Sequence, residues 1–192
     1  DSALAAFYRT DVSLKLGGRL FRRGPLTVAP DSTWLGRVVD PMGEPIDGYS
    51  DLTHGPGHRS VSAAPPPALT RHLISKPVLT GVRAIDLFTP LCEGQRLGIF
   101  AGSGVGKSTL LGMLAMSGQF DVTIVGLVGE RGREVREFLE LIPKSQRETM
   151  TVVVSTGDES ALLRRMAART ALAVAEHFRD ELHKDILFFA DN

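Results

Sequence analysis

Hydrophobic residues in the second half of the chain follow two alternating rhythms. Four short runs are almost wholly apolar: Arg96–Ala101 (RLGIFA), Val122–Glu130 (VTIVGLVGE), Met150–Thr156 (MTVVVST) and Ile186–Ala190 (ILFFA). Runs of that length bounded by turn or helix signals predict buried strands. Between them the period changes. Gly106–Ser117 (GKSTLLGMLAMS) predicts a helix, and so does Gly132–Ile142, where Val135, Phe138, Leu139 and Ile142 share one face. A longer helix follows, with Leu162, Met166, Thr170, Val174 and Phe178 aligned at every fourth position. Thr156 and Glu159 have the spacing of a capping box that would open it. Alternating strands and helices with wholly apolar strands predict an α/β fold, a parallel sheet covered on both faces. Ligand sites in such sheets lie beyond the carboxyl ends of the strands. Three chemically loaded positions fall there: the loop after Ala101, Glu130 and Asp191.

The first sixty residues read differently. Leu26–Pro30 (LTVAP) and Trp34–Asp40 (WLGRVVD) are β-type runs, and Asp40–Gly43 (DPMG) places Asp, Pro and Gly as a type I turn requires. A second turn at Glu44–Gly48 (EPIDG) closes a small β module. The Gly, Pro and Ser content of the segment that follows, with Pro65–Pro67 at its centre, marks a linker. The expected boundaries are 1–58, 59–75 and 76–192.

Composition narrows the function classes. With 22 basic and 22 acidic residues the net charge is zero, so no nucleic-acid track or anionic-membrane surface is expected. No apolar run is long enough to span a bilayer. The opening DSALAAFYRTDV carries early acids and no basic-then-apolar order, so it does not read as a secretory signal. The single cysteine, Cys92, excludes an internal disulfide and fits a reducing cytosol. His54 and His58 stand four apart, but in a Gly- and Pro-rich stretch that denies them the helix a metal pair would need.

The candidate chemistry begins at Ala101–Ser108 (AGSGVGKS), between a strand and a helix. A glycine-rich turn there lets successive backbone N–H groups face one concavity, and the helix N-terminus adds partial positive charge. The expected nucleotide-binding set is Gly102, Ser103, Gly104, Val105, Gly106, Lys107, Ser108 and Thr109. Lys107 would reach the β- and γ-phosphates, and the Ser108 hydroxyl would ligate magnesium. Ala101 stands where the strict pattern has glycine, at the strand exit, where a small residue suffices. The bland alternative is a tight turn carrying an exposed lysine.

Glu130 follows the second strand and is the candidate to polarise an attacking water. Arg131 could contact developing phosphate charge, and Glu134 could bind a magnesium-bound water. Glu134 would equally suit the helix dipole as a first-turn acid. Asp191, one residue beyond an apolar strand, is the candidate magnesium-holding acid.

TGVRAIDLFTPLCEGQRLGIFAGSGVGKSTLLGML together with LVGERGREVREF resembles the flagellar protein-export ATPases, which belong with type III secretion ATPases and the catalytic subunits of rotary ATP synthases. The resemblance extends from about Trp34 to the end. It implies part of an N-terminal β-barrel followed by a RecA-like P-loop domain. It also implies ATP and Mg2+ as cofactors and a homohexameric ring in the cytoplasm, peripheral to the inner membrane and not inserted. Implied partners are flagellar export apparatus proteins and their export substrates, with no nucleic acid. Lys107 and Ser108 match the phosphate and magnesium residues, Glu130 the catalytic glutamate, Arg131 a phosphate-contacting arginine and Asp191 the metal-site acid. Asp191-Asn192 looks more like the synthase catalytic subunit, so the synthase and virulence-type branches stay open beside the flagellar one. So does a non-hydrolysing ring subunit, although it would have no use for Glu130. Because family members continue past the metal-site acid, the chain is expected to be an internal piece, weakly active or inactive alone.

Overall fold

The computed structural model describes residues 6–8, 12–21, 23–102 and 104–192. Strands β1 (Thr27–Val28), β2 (Arg37–Val39), β3 (Arg59–Ser60) and β4 (Pro77–Val78) come first, then helix α1 (Arg83–Phe88) and β5 (Leu91–Cys92). Next are α2 (Lys107–Ala115), β6 (Val122–Glu130), α3 (Gly132–Leu141) and α4 (Lys144–Arg147). The chain closes with β7 (Met150–Thr156), α5 (Ala161–Asp180) and β8 (Ile186–Asp191).

The main sheet has four strands in the order β2-β7-β6-β8, and every pairing in it is parallel. Its two faces are sorted by the alternation of side chains along each strand. From β6, Val122 and Ile124 join Val153 of β7 against Ala167, Ala171, Val174 and Phe178 of α5. Val125 and Leu127 point the other way and pack with Val152, Val154, Leu111 of α2 and Phe138 of α3. Gly126 lies on the α5 face, where an added Cβ would sit 3.4 Å from the Ala171 Cβ, so two small residues let helix and sheet approach. The expected amphipathic faces are present: Phe138 and Ile142 are buried on one helix edge, and Met166, Thr170, Val174 and Phe178 on the other.

Three expectations meet corrections. Arg96–Ala101 is not a strand. A strand needs a ladder partner, and no described strand is hydrogen-bonded to this segment; Ile99 tucks into the core while Phe100 is 97% exposed. Thr156 does not cap α5. Its carbonyl accepts from the Glu159 N–H in a turn, Glu159 binds the Ser155 hydroxyl at 2.6 Å, and Ser160 caps the helix by accepting from Leu163 N–H at 3.2 Å. Trp34 sits in a short 3₁₀ turn capped by Asp31 rather than in a strand. The turn at Asp40–Gly43 is present, with the Gly43 N–H donating to the Asp40 carbonyl at 3.0 Å.

From the expected N-terminal β module, β2 adds itself to the main sheet beside β7, while β1 and β3 pair antiparallel. Its side chains enter the same core as α5: Val28, Trp34 and Val39 are buried with Phe178. Polar ties cross the same boundary. Thr170 donates to the Pro41 carbonyl at 2.6 Å, Thr151 donates to the Trp34 carbonyl at 2.8 Å, and Arg59 pairs with Asp180 and Glu181. Among the described residues no helix is long and apolar enough to cross a membrane.

The β2 segment is anchored by Arg37, whose guanidinium bonds both oxygens of Asp47 at 2.8 and 2.9 Å. Burial alone would raise the Asp47 carboxyl. The Arg37 bond and charge and the N–H groups of Val38 and Tyr49 outweigh it and hold the carboxyl below the ordinary value. A depressed folded-state value means this stabilisation is complete above the unfolded pKa and disappears as pH falls through the folded one. Replacing Arg37 with Met should therefore cost about 1.5–3 kcal/mol at neutral pH, with the deficit shrinking below the ordinary 3.8. Urea unfolding followed by Trp34 fluorescence, at neutral and acid pH, measures both effects.

Candidate functional site

Ala101–Gly106 has no regular structure in its described residues and leads directly into α2. Gly104 and Gly106 have φ of +76° and +99°, left-handed values that side-chain-bearing residues rarely adopt. Gly106 is the N-cap of α2, so the turn exposes the first-turn N–H groups that an α-helix leaves without intrahelical partners. A Cβ added at Gly102, Gly104 or Gly106 would meet nothing within 4 Å, so the concave side of the loop is open. Val105 is 69% exposed, and Ser108 and Thr109 are exposed on the first turn of α2. Ser103 lies outside the described residues.

Lys107 turns from α2 toward the end of β8. Its ammonium bonds Asp191 Oδ1 at 2.5 Å and the Asn192 carbonyl at 3.3 Å. Asp191 is buried and also accepts from the Asn192 N–H at 2.9 Å. The bond to Asp191 raises the Lys107 pKa against the opposing effect of burial, and the charges of Glu130 and Glu134 add to it. The carboxylate expected to hold magnesium is thus bonded to Lys107, the residue beside Ser108.

Glu130, at the end of β6, feels the same group of charges. Burial first, then its hydrogen bond with Glu134 and the charge of Asp191, raise its carboxyl above the ordinary value, and Lys107 opposes the change. Glu134 moves down, because it takes the Glu130 hydrogen bond and accepts from the Arg131 N–H at 3.2 Å. Arg131 caps α3 with its side chain exposed, adjoining the group through Glu134.

The structure thus brings Lys107, Asp191, Glu130 and Glu134 together at one sheet edge. Sequence reasoning missed two contributors: the Asn192 carbonyl, which carries no side-chain signal, and Gly129, which has φ of +78° inside β6. An isolated glycine in a strand pattern is a bulge signal and could have marked the second.

Residues 81–192, more than half of the chain, match the ATP synthase alpha/beta family, nucleotide-binding domain. A flagellum-specific ATP synthase of Agrobacterium fabrum is 54% identical over 84% of this chain, and the matched part is 34% of that protein. A type 3 secretion system ATPase of Xanthomonas euvesicatoria is 46% identical over 94% of this chain and 41% of its own length. Among solved structures, the assembled ATPase EscN from the type III secretion system of enteropathogenic E. coli gives a TM-score of 0.82 at 44% identity, over 90% of this chain and 42% of that one. This chain spans about a third of the length of the flagellar relative. With its glycine-rich loop, parallel sheet and edge carboxylates, the chain belongs to the ATP synthase alpha/beta family, its residues 81–192 matching that family's nucleotide-binding domain.

Proposed function

We propose that this chain is the nucleotide-hydrolysing part of an ATPase that drives export of flagellar proteins through a type III secretion apparatus. The observation that carries the reading is the convergence of Lys107 with Asp191, Glu130 and Glu134 at the edge where the open glycine loop enters α2. The main alternatives are a virulence-type secretion ATPase and a synthase catalytic subunit, which would use the same residues. The identity to flagellum-specific relatives favours the flagellar branch.

In this reading the first-turn N–H groups of α2 and the glycine loop cradle the phosphates, and Lys107 exchanges Asp191 for phosphate oxygens. Magnesium fits the available donors, which are all oxygen: the exposed Ser108 hydroxyl, the buried Asp191 carboxylate and, through water, Glu134. Magnesium is characteristically bound by one or two carboxylates together with substrate phosphates. When bound it neutralises charge on the transferring phosphoryl group. Glu130, ionised, orients the attacking water, and Arg131 is placed to meet phosphate charge. A non-hydrolysing subunit would have no use for a carboxylate at that strand end. The ring is taken to be homohexameric, in line with the relative described as an assembled ATPase. Its proposed site of action is the cytoplasmic face of the inner membrane, with export apparatus proteins and export substrates as partners.

In the full-length protein, Glu130→Gln should keep MgATP binding while hydrolysis falls by about 10²–10⁴-fold, the range general acid–base groups supply. Turnover near that of the parent would remove Glu130 from the role. Because the base must be ionised and its pKa is raised, kcat/KM should fall on the acid side at a pH above the ordinary glutamate value of 4.5. Lys107→Ala should weaken nucleotide binding by about 10–100-fold, the equivalent of one charged hydrogen bond, as read by titration of a fluorescent ATP analogue.

A further inference from the structure

We infer that Gly129 and Gly157 are positioning residues that hold a bulge in β6 and thereby put Glu130 on the same face of the sheet as Lys107 and Asp191. The inference rests on the reading of Glu130 given above.

Side chains along a strand alternate between the two faces of the sheet. Along β6, Val122, Ile124 and Val128 pack on the α5 face, and Gly126 meets Ala171 there. Val125 and Leu127 pack on the α2–α3 face. Strict alternation would return residue 130 to the α5 face, away from α2. The ladder shows otherwise. Val128 pairs with Ser155, but the next pair is Glu130 with Thr156, so Gly129 is the extra residue of a bulge. Thr156 shares the strand parity of Val152 and Val154, which lie on the α2–α3 face. Its partner Glu130 is therefore carried to that face as well. Asp191 arrives there by an unbroken ladder, since it pairs with Leu127 and has the parity of Phe189.

Two glycines make the bulge possible. Gly129 takes φ of +78°, a left-handed conformation that residues with a Cβ rarely adopt. Gly157 closes it from the loop after β7: its N–H donates to the Glu130 carbonyl at 3.1 Å. A Cβ on Gly157 would sit 3.0 Å from the Gly129 carbonyl oxygen, a backbone atom that cannot rotate aside. At Gly129 an added Cβ would sit 3.3 Å from Asn192 Oδ1 and 3.7 Å from Arg164 Cδ, both on side chains able to move. Backbone conformation, not lack of space, thus demands glycine at 129.

That distinction sets the experiment. Gly129→Asn, Gly129→Ala, Gly129→Val and Gly157→Ala are made in the full-length protein. Measurements are steady-state ATP hydrolysis, affinity for a fluorescent ADP analogue, and hydrogen exchange at the Gly157 N–H. Asparagine tolerates left-handed φ far better than alanine, and valine tolerates it least. The expected order of kcat is therefore Asn above Ala above Val, with Val down by about 100-fold, the cost of misplacing a reacting group by about 1 Å. Gly157→Ala should lower kcat at an ordinary backbone conformation, which separates the clasp from left-handed strain. ADP-analogue affinity should stay within about 3-fold throughout, and the Gly157 N–H should lose protection in step with kcat. The inference is overturned if kcat follows side-chain size, with Asn below Ala, if affinity falls in parallel with kcat, or if the Gly157 N–H stays protected in Gly129→Val. Should valine fail to fold, the Asn, Ala and Gly157→Ala comparisons still decide. If Glu130→Gln itself leaves turnover intact, the reading of Glu130 fails, whereas full activity of Gly129→Ala and Gly129→Val beside an inactive Glu130→Gln defeats only the bulge.

Discussion

Everything at the candidate site depends on the parallel pairing of β6 with β7 on one side and β8 on the other. Parallel neighbours end at the same edge, so residues far apart in the chain are delivered together without direct contacts to guide them. Leu127 stands opposite Asp191, and Glu130 stands opposite Thr156. The ladder in turn is held by burial on both faces, with Ile124, Val125 and Val153 fully excluded from solvent. Helices on both faces keep the middle of these strands apolar, and the charged residues appear at their ends.

Once the edge is assembled, electrostatics governs it. Three carboxylates surround one ammonium, and the most buried of them, Asp191, takes the lysine. Glu130 and Glu134 are left side by side as like charges, and a second cation would relieve the excess negative charge. The edge is thus electrostatically under-compensated in a way that suits a magnesium-bearing phosphate chain, which brings both metal cation and phosphate anion. A surface with the same carboxylates spread apart would have no such requirement.

Much of this was legible in the sequence because periodicity and strand ends are local signals. The strands at Val122–Glu130, Met150–Thr156 and Ile186–Ala190 and the helices facing them follow from patterns within a few residues, and those patterns mark the strand ends at which Glu130 and Asp191 arrive. What was not legible depended on partners elsewhere. Arg96–Ala101 has the composition of a strand but pairs with no described strand. Thr156 has the spacing of a cap, but Gly157 and Asp158 turn the chain before Ser160 takes that role. Arg37–Val39 looked like part of a separate module, yet Val39 is buried against the α5 side of the main sheet, a long-range choice no local pattern announces.

The glycines show the same division between local and distant causes. Those at 104 and 106 were readable because the loop motif states its own geometry, and both adopt left-handed backbone. Gly129 was read as one more strand residue, since a period-two pattern survives a single glycine without visible interruption. Its effect becomes apparent only on counting faces against β7 and β8: the strand that carries Glu130 has one residue too many for regular alternation, while the strand that carries Asp191 does not. A carboxylate at the end of a buried strand is therefore not enough to define a site. Its parity relative to the helix bearing the lysine decides whether the two can act on the same ligand, and here that parity depends on a residue without a side chain.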